Sequence, residues 1–169
     1  MTHYYRYLTA GDTATKALLD DREPLSVIRT GNQTVNNSTT FVNDDTLTLA
    51  LAASSTYHVS LVVNVSGPSA ADWKQQWTAP AGATGTRFTH GPSTGASSVR
   101  ANNVNFRSAP LTTSLSYNTD GTEISAIREE IWMTTTNAGN LTLTWAQLVA
   151  TVGSTTVWSG SYMSAYRVV

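Results

Sequence analysis

Three histidines, His3, His58 and His90, are the side chains best suited to moving a proton or holding a metal near neutral pH, and they stand apart along the chain. None has a His, Asp or Glu at metal-ligand spacing of the H-E-x-x-H kind, and the chain contains no cysteine to supply a thiolate. His58 falls on the polar phase of an alternating run, the place of a solvated or hydrogen-bonded side chain. No Ser, Thr or Lys stands out as an activated nucleophile, and no cofactor is expected.

Carboxylates are few. Asp44, Asp45 and Asp120 lie in turn-forming strings, where Asp bonds neighbouring backbone N–H groups, and Glu123, Glu129 and Glu130 lie beside a strand core. Two such groups meeting in space would suit glycoside hydrolysis, a pairing that sequence alone does not reveal. Asn43-Asp44-Asp45 and Asp120 offer oxygens to calcium, but neither follows the twelve-residue loop pattern, and turn chemistry accounts for both. Trp73 and Trp77 stand four apart with Gln75 between them, on one side of a strand. Such a pair can stack sugar rings; more ordinarily, aromatics of this size fill a core or a subunit interface. On these residues the chain is expected not to be an enzyme.

The elements that position these residues read mainly as strands. Leu47, Leu49 and Leu51 alternate with polar or small residues, as do Tyr57, Val59, Leu61, Val63 and Val65, and Leu141, Leu143 and Trp145. Turn strings separate them: Asn43-Asp44-Asp45, Ser66-Gly67-Pro68, Ala81-Gly82, Asn118-Thr119-Asp120-Gly121 and Asn137-Ala138-Gly139-Asn140. Charged residues make up only 12% of the chain, about half the usual share, and the Thr and Ser that replace them suit half-exposed strands better than helices. The expected fold is all-β, an antiparallel β-sandwich or jelly roll over residues 25–169. Ile124, Ile127 and Ile131 have helical spacing, yet the run enters Trp132-Met-Thr-Thr-Thr136 and the next turn, so 123–136 reads as a strand.

Residues 1–24 differ. They hold four of the eleven acids, and Asp12 or Thr13 can cap a short helix through Leu18 and Leu19 before Pro24. Tyr4, Tyr5, Tyr7 and Leu8 precede it as an aromatic patch. This arm either packs on its own domain or docks on a neighbouring subunit, with those four residues, Leu18 and Leu19 as its contacts. Residues 82–105, poor in apolar periodicity and rich in Gly, Ser, Thr and Asn, read as a long contact loop carrying Arg87, His90 and Arg100. With Trp73 and Trp77, these three are the candidate surface residues.

Ten basic and eleven acidic residues leave a net charge of −1 and no cationic run, so nucleic-acid binding is not expected. No apolar stretch is long enough to span a membrane, and the N-terminus lacks signal-peptide order, so synthesis in the cytoplasm is expected. Five Asn-x-Ser/Thr strings, at Asn32, Asn36, Asn37, Asn64 and Asn140, are what so Asn-, Ser- and Thr-rich a chain produces by chance.

The segment order resembles a domain of tailed-phage structural proteins, particularly those of actinobacteriophages. The likeness is carried by Thr30-Gly-Asn-Gln-Thr-Val-Asn-Asn-Ser-Thr-Thr40 followed by Asn43-Asp44 and a Leu strand, by Trp77-Thr-Ala-Pro-Ala-Gly-Ala-Thr84, and by Ala138-Gly-Asn-Leu-Thr-Leu-Thr-Trp-Ala-Gln147 leading to Ser159-Gly-Ser-Tyr-Met163. With Thr9-Ala-Gly-Asp12 and Pro24-Leu25 it spans nearly the whole chain. The resemblance implies a virion β-sandwich, assembling as a homotrimer, that decorates a head or forms part of a tail or fibre. Because only about 24 residues precede the sandwich, a decoration protein bound to the major capsid protein is expected over a fibre.

Overall fold

The computed structural model describes Thr13 and residues 23–94, 104–121 and 123–168. The helix expected before Pro24, and the arm residues Tyr4, Tyr5, Tyr7, Leu8, Leu18 and Leu19, lie outside the described residues, as does Arg100. Everything regular among the described residues is β: β1 (Leu25–Ile28), β2 (Gln33–Asn36), β3 (Val42–Leu51), β4 (Ser55–Ser66), β5 (Trp73–Thr78), β6 (Thr84–Pro92), β7 (Val104–Pro110), β8 (Leu115–Tyr117), β9 (Ser125–Thr135), β10 (Gly139–Gln147), β11 (Ser154–Val157) and β12 (Tyr162–Arg167).

Two antiparallel sheets result. The larger runs β1-β12-β4-β9-β6-β7, with β11 joining β4 to β2; the smaller runs β3-β10-β5-β8. The expected all-β sandwich is therefore what forms. The alternating runs turn one face inward: Tyr57, Val59, Leu61, Val63 and Val65 from β4 meet Leu47, Leu49, Leu51, Leu141, Leu143 and Trp145 from the smaller sheet, all buried. Trp73 stacks on Trp145 at 4.7 Å and 18°, an offset pair worth about 1 kcal/mol beyond its area. The reversal out of β5 is made by Pro80 to Ala83, with Ala83 N–H donating to Pro80 C=O at 3.0 Å and Gly82 at φ +75°, a value that a side chain would strain.

Strand β9 settles the segment whose isoleucines have helical spacing. Ile127 and Ile131 both point inward because four apart is also two strand repeats, and Glu129 occupies the inward position between them. Ile124 lies before the strand and is exposed.

The long loop read over 82–105 is corrected: β6 fills 84–92, and β7 begins at 104. Its apolar rhythm is hidden because β6 is built inside out, with Arg87, Thr89 and Gly91 facing the core and Phe88 facing outward. Gly91 must be Gly, since a Cβ there would stand 2.7 Å from Cδ1 of the buried Tyr117 ring.

Candidate interaction surface

Of the titratable side chains, those gathered most closely are sealed between the sheets. Glu129 and Arg87, both fully buried, pair at 3.0 Å between Oε1 and Nη2. The same carboxylate accepts from Gln75 Nε2 at 2.7 Å, Trp77 Nε1 at 2.7 Å and, more distantly, Tyr117 Oη at 3.4 Å. Gln75 in turn accepts from Trp73 Nε1 at 2.7 Å, and Arg87 Nη1 donates to the carbonyls of Thr113 and Leu111. Arg87 Nε and Nη2 make no aligned hydrogen bond, so the ion pair itself holds that side of the guanidinium. Burial first, and the Glu129 carboxylate second, push the Tyr117 hydroxyl above its ordinary value.

This network removes Trp73, Trp77 and Arg87 from the candidate surface or interface set, and for the two tryptophans it is the core reading that holds. Trp73, Trp77 and Arg87 face inward, where each long polar side chain finds a partner only inside the sandwich, and neither tryptophan is open to a sugar. A carboxylate with this many donors and no opening to solvent is an internal brace. In the sequence Glu129 is legible only as a residue beside a strand core; the missed signal is that it holds the inward phase of β9, where an acid requires a buried cation.

A second cluster ties the segment after β1 and the start of β2 to β3. Arg29 Nη2 lies 2.6 Å from Asp44 Oδ1, also contacts Asp45, and donates to Gln33 Oε1 at 3.0 Å. Asp44 Oδ1 additionally accepts from Thr46 N–H and Leu47 N–H, the turn role expected of it. The Arg29 guanidinium thus pairs with both carboxylates of this turn. Among the described residues no group of three or more His, Asp or Glu is placed to hold a metal ion, and no helix is long and apolar enough to cross a membrane.

Gly91-Pro92-Ser93-Thr94-Gly95 has the letters of a serine-nucleophile elbow. Gly91 and Pro92 end the antiparallel strand β6, and Thr94 lies in a turn. Ser93 Oγ accepts from Asn105 Nδ2 at 3.1 Å, and no base among the described residues is bonded to it. Beside it an open cleft of about 290 Å³ is lined by His90, Pro92, Val104, Glu123, Ile124 and Ser125.

What is open to solvent differs between the sheets. On the smaller sheet the outward positions are Thr48, Ala50, Lys74, Gln76, Ser116, Asn140 and Thr142, a polar surface on which Thr48 and Thr142 share a 2.7 Å hydrogen bond. On the larger sheet the outward positions form rows across the strands. One row reads Ile28, Tyr162, Val62, Arg128, His90 and Phe106; the next reads Ser26, Ser164, Ser60, Glu130, Phe88 and Ser108. A third holds Tyr166, His58, Trp132 and Thr86. Phe106 is 80% exposed, Ile28 65% and Trp132 48%. His58 packs on Trp132 at 4.8 Å and pairs with Glu130 at 2.9 Å, and His90 leans on Phe106 at 5.5 Å. His90 is half-buried on the outward phase of β6, and His58 is paired with Glu130 on the outward phase of β4.

No family profile matches the chain, and no curated protein matches it. Among solved structures, a chain of the tripod (BppUct-A-L) from the baseplate of bacteriophage Tuc2009 aligns over 99% of this chain and 76% of its own length, at 14% identity and a TM-score of 0.37. A chain of infectious bursal disease virus Gt strain aligns over 89% of this chain and 41% of its own, at 11% identity and a TM-score of 0.21. The VP2 subviral particle of the same virus gives 87% and 37%, at 8% identity and a TM-score of 0.20. This chain thus spans well under half the length of the two bursal disease virus chains.

Proposed function

We propose that the protein is a structural component of a virus particle, a capsid-decoration protein that forms homotrimers on the lattice of the major capsid protein and catalyses no reaction. The observation that carries this reading is the outward face of the larger sheet, where Ile28, Phe88, Phe106, Trp132, Tyr162 and Tyr166 stand exposed among serines and a few charges, on a molecule whose best-gathered ionisable groups are closed inside it. A face of this kind marks a surface meant for another macromolecule. The tailed-phage resemblance supplies the setting, and the scarcity of surface charge lets copies and lattice meet without stranding unpaired charges. Residues 1–24 serve as the anchor, with Tyr4, Tyr5, Tyr7, Leu8, Leu18 and Leu19 as its contacts. Binding only the assembled shell stabilises it, and three linked contacts per trimer multiply the effect.

The experiment is a count and a deletion. Quantitative mass spectrometry of purified particles should find the protein in hundreds of copies, and a chain lacking residues 1–24 should fold and fail to attach. A few copies per particle would replace this reading with a tail-tip or fibre head that recognises a host surface, for which the open cleft beside His90 is the natural site. Absence from particles, with glycan binding by the free protein, would make it a carbohydrate-binding module.

A further inference from the structure

We propose that the outward face of the larger sheet binds the same face of a second copy about a two-fold axis. This contact assigns an occupant, a second copy of the chain, to the face from which the proposed function is argued. The trimer and lattice contacts of that reading then fall to other surfaces, and the pairing itself does not depend on where the protein resides. The pairing follows from the rows. One row carries large side chains in nearly every strand; the adjacent row carries Ser26, Ser164, Ser60 and Ser108 in β1, β12, β4 and β7. A two-fold axis lying in the interface, across the strands and between these rows, places each row of one copy on the other row of its mate.

Complementary positions then meet. Ile28 falls on Ser26, Tyr162 on Ser164, Val62 on Ser60 and Phe106 on Ser108, ridge into groove, while His90 meets the ring of Phe88. At the centre of the sheet Arg128 falls on Glu130, and by symmetry Glu130 on Arg128, so the face's central cation and anion are paired twice. The same rotation lays Trp132 over Ala126 and His58 over Asn64, large on small at these two positions. Sheets that twist pack at about 30° to one another, which rotates the outer strands most and leaves β4, β9 and β6 nearest this register. Six strands about 4.8 Å apart and four rows of outward residues cover on the order of 700 Å² per copy, close to the ~800 Å² per partner of a stable interface. The outward positions within the strands of the smaller sheet are polar or Ala, with the Phe41 ring beside them under Lys74 Nζ at 4.7 Å, and they have no such pattern.

Sedimentation equilibrium with charge variants tests the proposal. The intact chain at about 50 μM should sediment as an even-numbered species, a dimer or paired trimers. Arg128→Glu alone and Glu130→Arg alone each put like charges face to face, and each should weaken pairing at least about tenfold. In a one-to-one mixture the first variant brings carboxylates at both positions and the second brings guanidinium groups at both, so the mixture should pair again. The double exchange Arg128→Glu/Glu130→Arg should pair with itself. Both positions are exposed, and unchanged thermal melting of each variant at low concentration shows that the fold is kept. Only monomers or unpaired trimers of the intact chain would overturn the proposal. So would pairing indifferent to Arg128→Glu, which would assign the contact to another surface, or single variants that stay apart on mixing.

Discussion

At the scale of single residues, the buried pair of Glu129 and Arg87 dominates. Removing one member leaves the other charged and dry, which costs about 3–5 kcal/mol. Glu129→Ala should therefore lower the unfolding free energy in urea by that order, and Glu129→Gln by nearly as much, because Gln still accepts from Trp77 Nε1 but no longer neutralises Arg87. Arg87→Met/Glu129→Gln should be more stable than the sum of its single changes by at least about 1 kcal/mol, since no charge is then left buried. Tyr117, beside the same carboxylate, titrates above its ordinary value of 10.0, chiefly because it is buried. The unfolded chain thus loses this proton before the folded chain does. Its contribution to stability is complete below about pH 10 and is lost as the pH rises through the raised value. Chemical denaturation between pH 9 and pH 11 should show a steeper loss for the intact chain than for Tyr117→Phe.

At the scale of elements, legibility follows the chemistry of the inward face. Strands β3, β4 and β10 are readable in the sequence because Leu, Val, Tyr and Trp alternate with polar residues, so periodicity and burial coincide. Strand β6 is not, because Arg87, Thr89 and Gly91 are its inward residues and the outward Phe88 breaks the rhythm from the other side. The same inversion hides the candidate surface. Phe88 lies within the segment that reads as loop and Phe106 just beyond its end, and Trp132, Tyr162 and Tyr166 become one face only through pairings between strands remote in sequence. No spacing within one strand records a row that crosses six. Gly91 tests the account of β6. Gly91→Ala forces Tyr117, and with it β8, away from the strand, and overpacking of this kind costs about 1–3 kcal/mol. A loss within that range in urea midpoint analysis would support the close approach; an unchanged midpoint would show that β6 and Tyr117 are not in contact.

At the scale of the whole molecule, the two outer faces have opposite tasks. The smaller sheet presents Thr, Asn, Lys and Gln to water, and the larger presents aromatic and aliphatic side chains that water solvates poorly. With a net charge of −1, long-range repulsion does little to keep copies apart, so association is governed by which faces complement one another. If two copies must separate as they unfold, mass action ties thermal stability to concentration. A dimer of this size should gain roughly 2 °C in Tm for each tenfold rise in protein, whereas a monomer should gain nothing. The paired substitution Phe88→Ser/Phe106→Ser removes two exposed rings without opening the core, so it should flatten that slope while leaving the dilute Tm nearly unchanged. Thr142→Ser, on the polar sheet, should keep the slope of the intact chain. A slope that survives loss of both phenylalanines would locate the association elsewhere, and a flat response from the intact chain would mean that this face is held in reserve for a different protein.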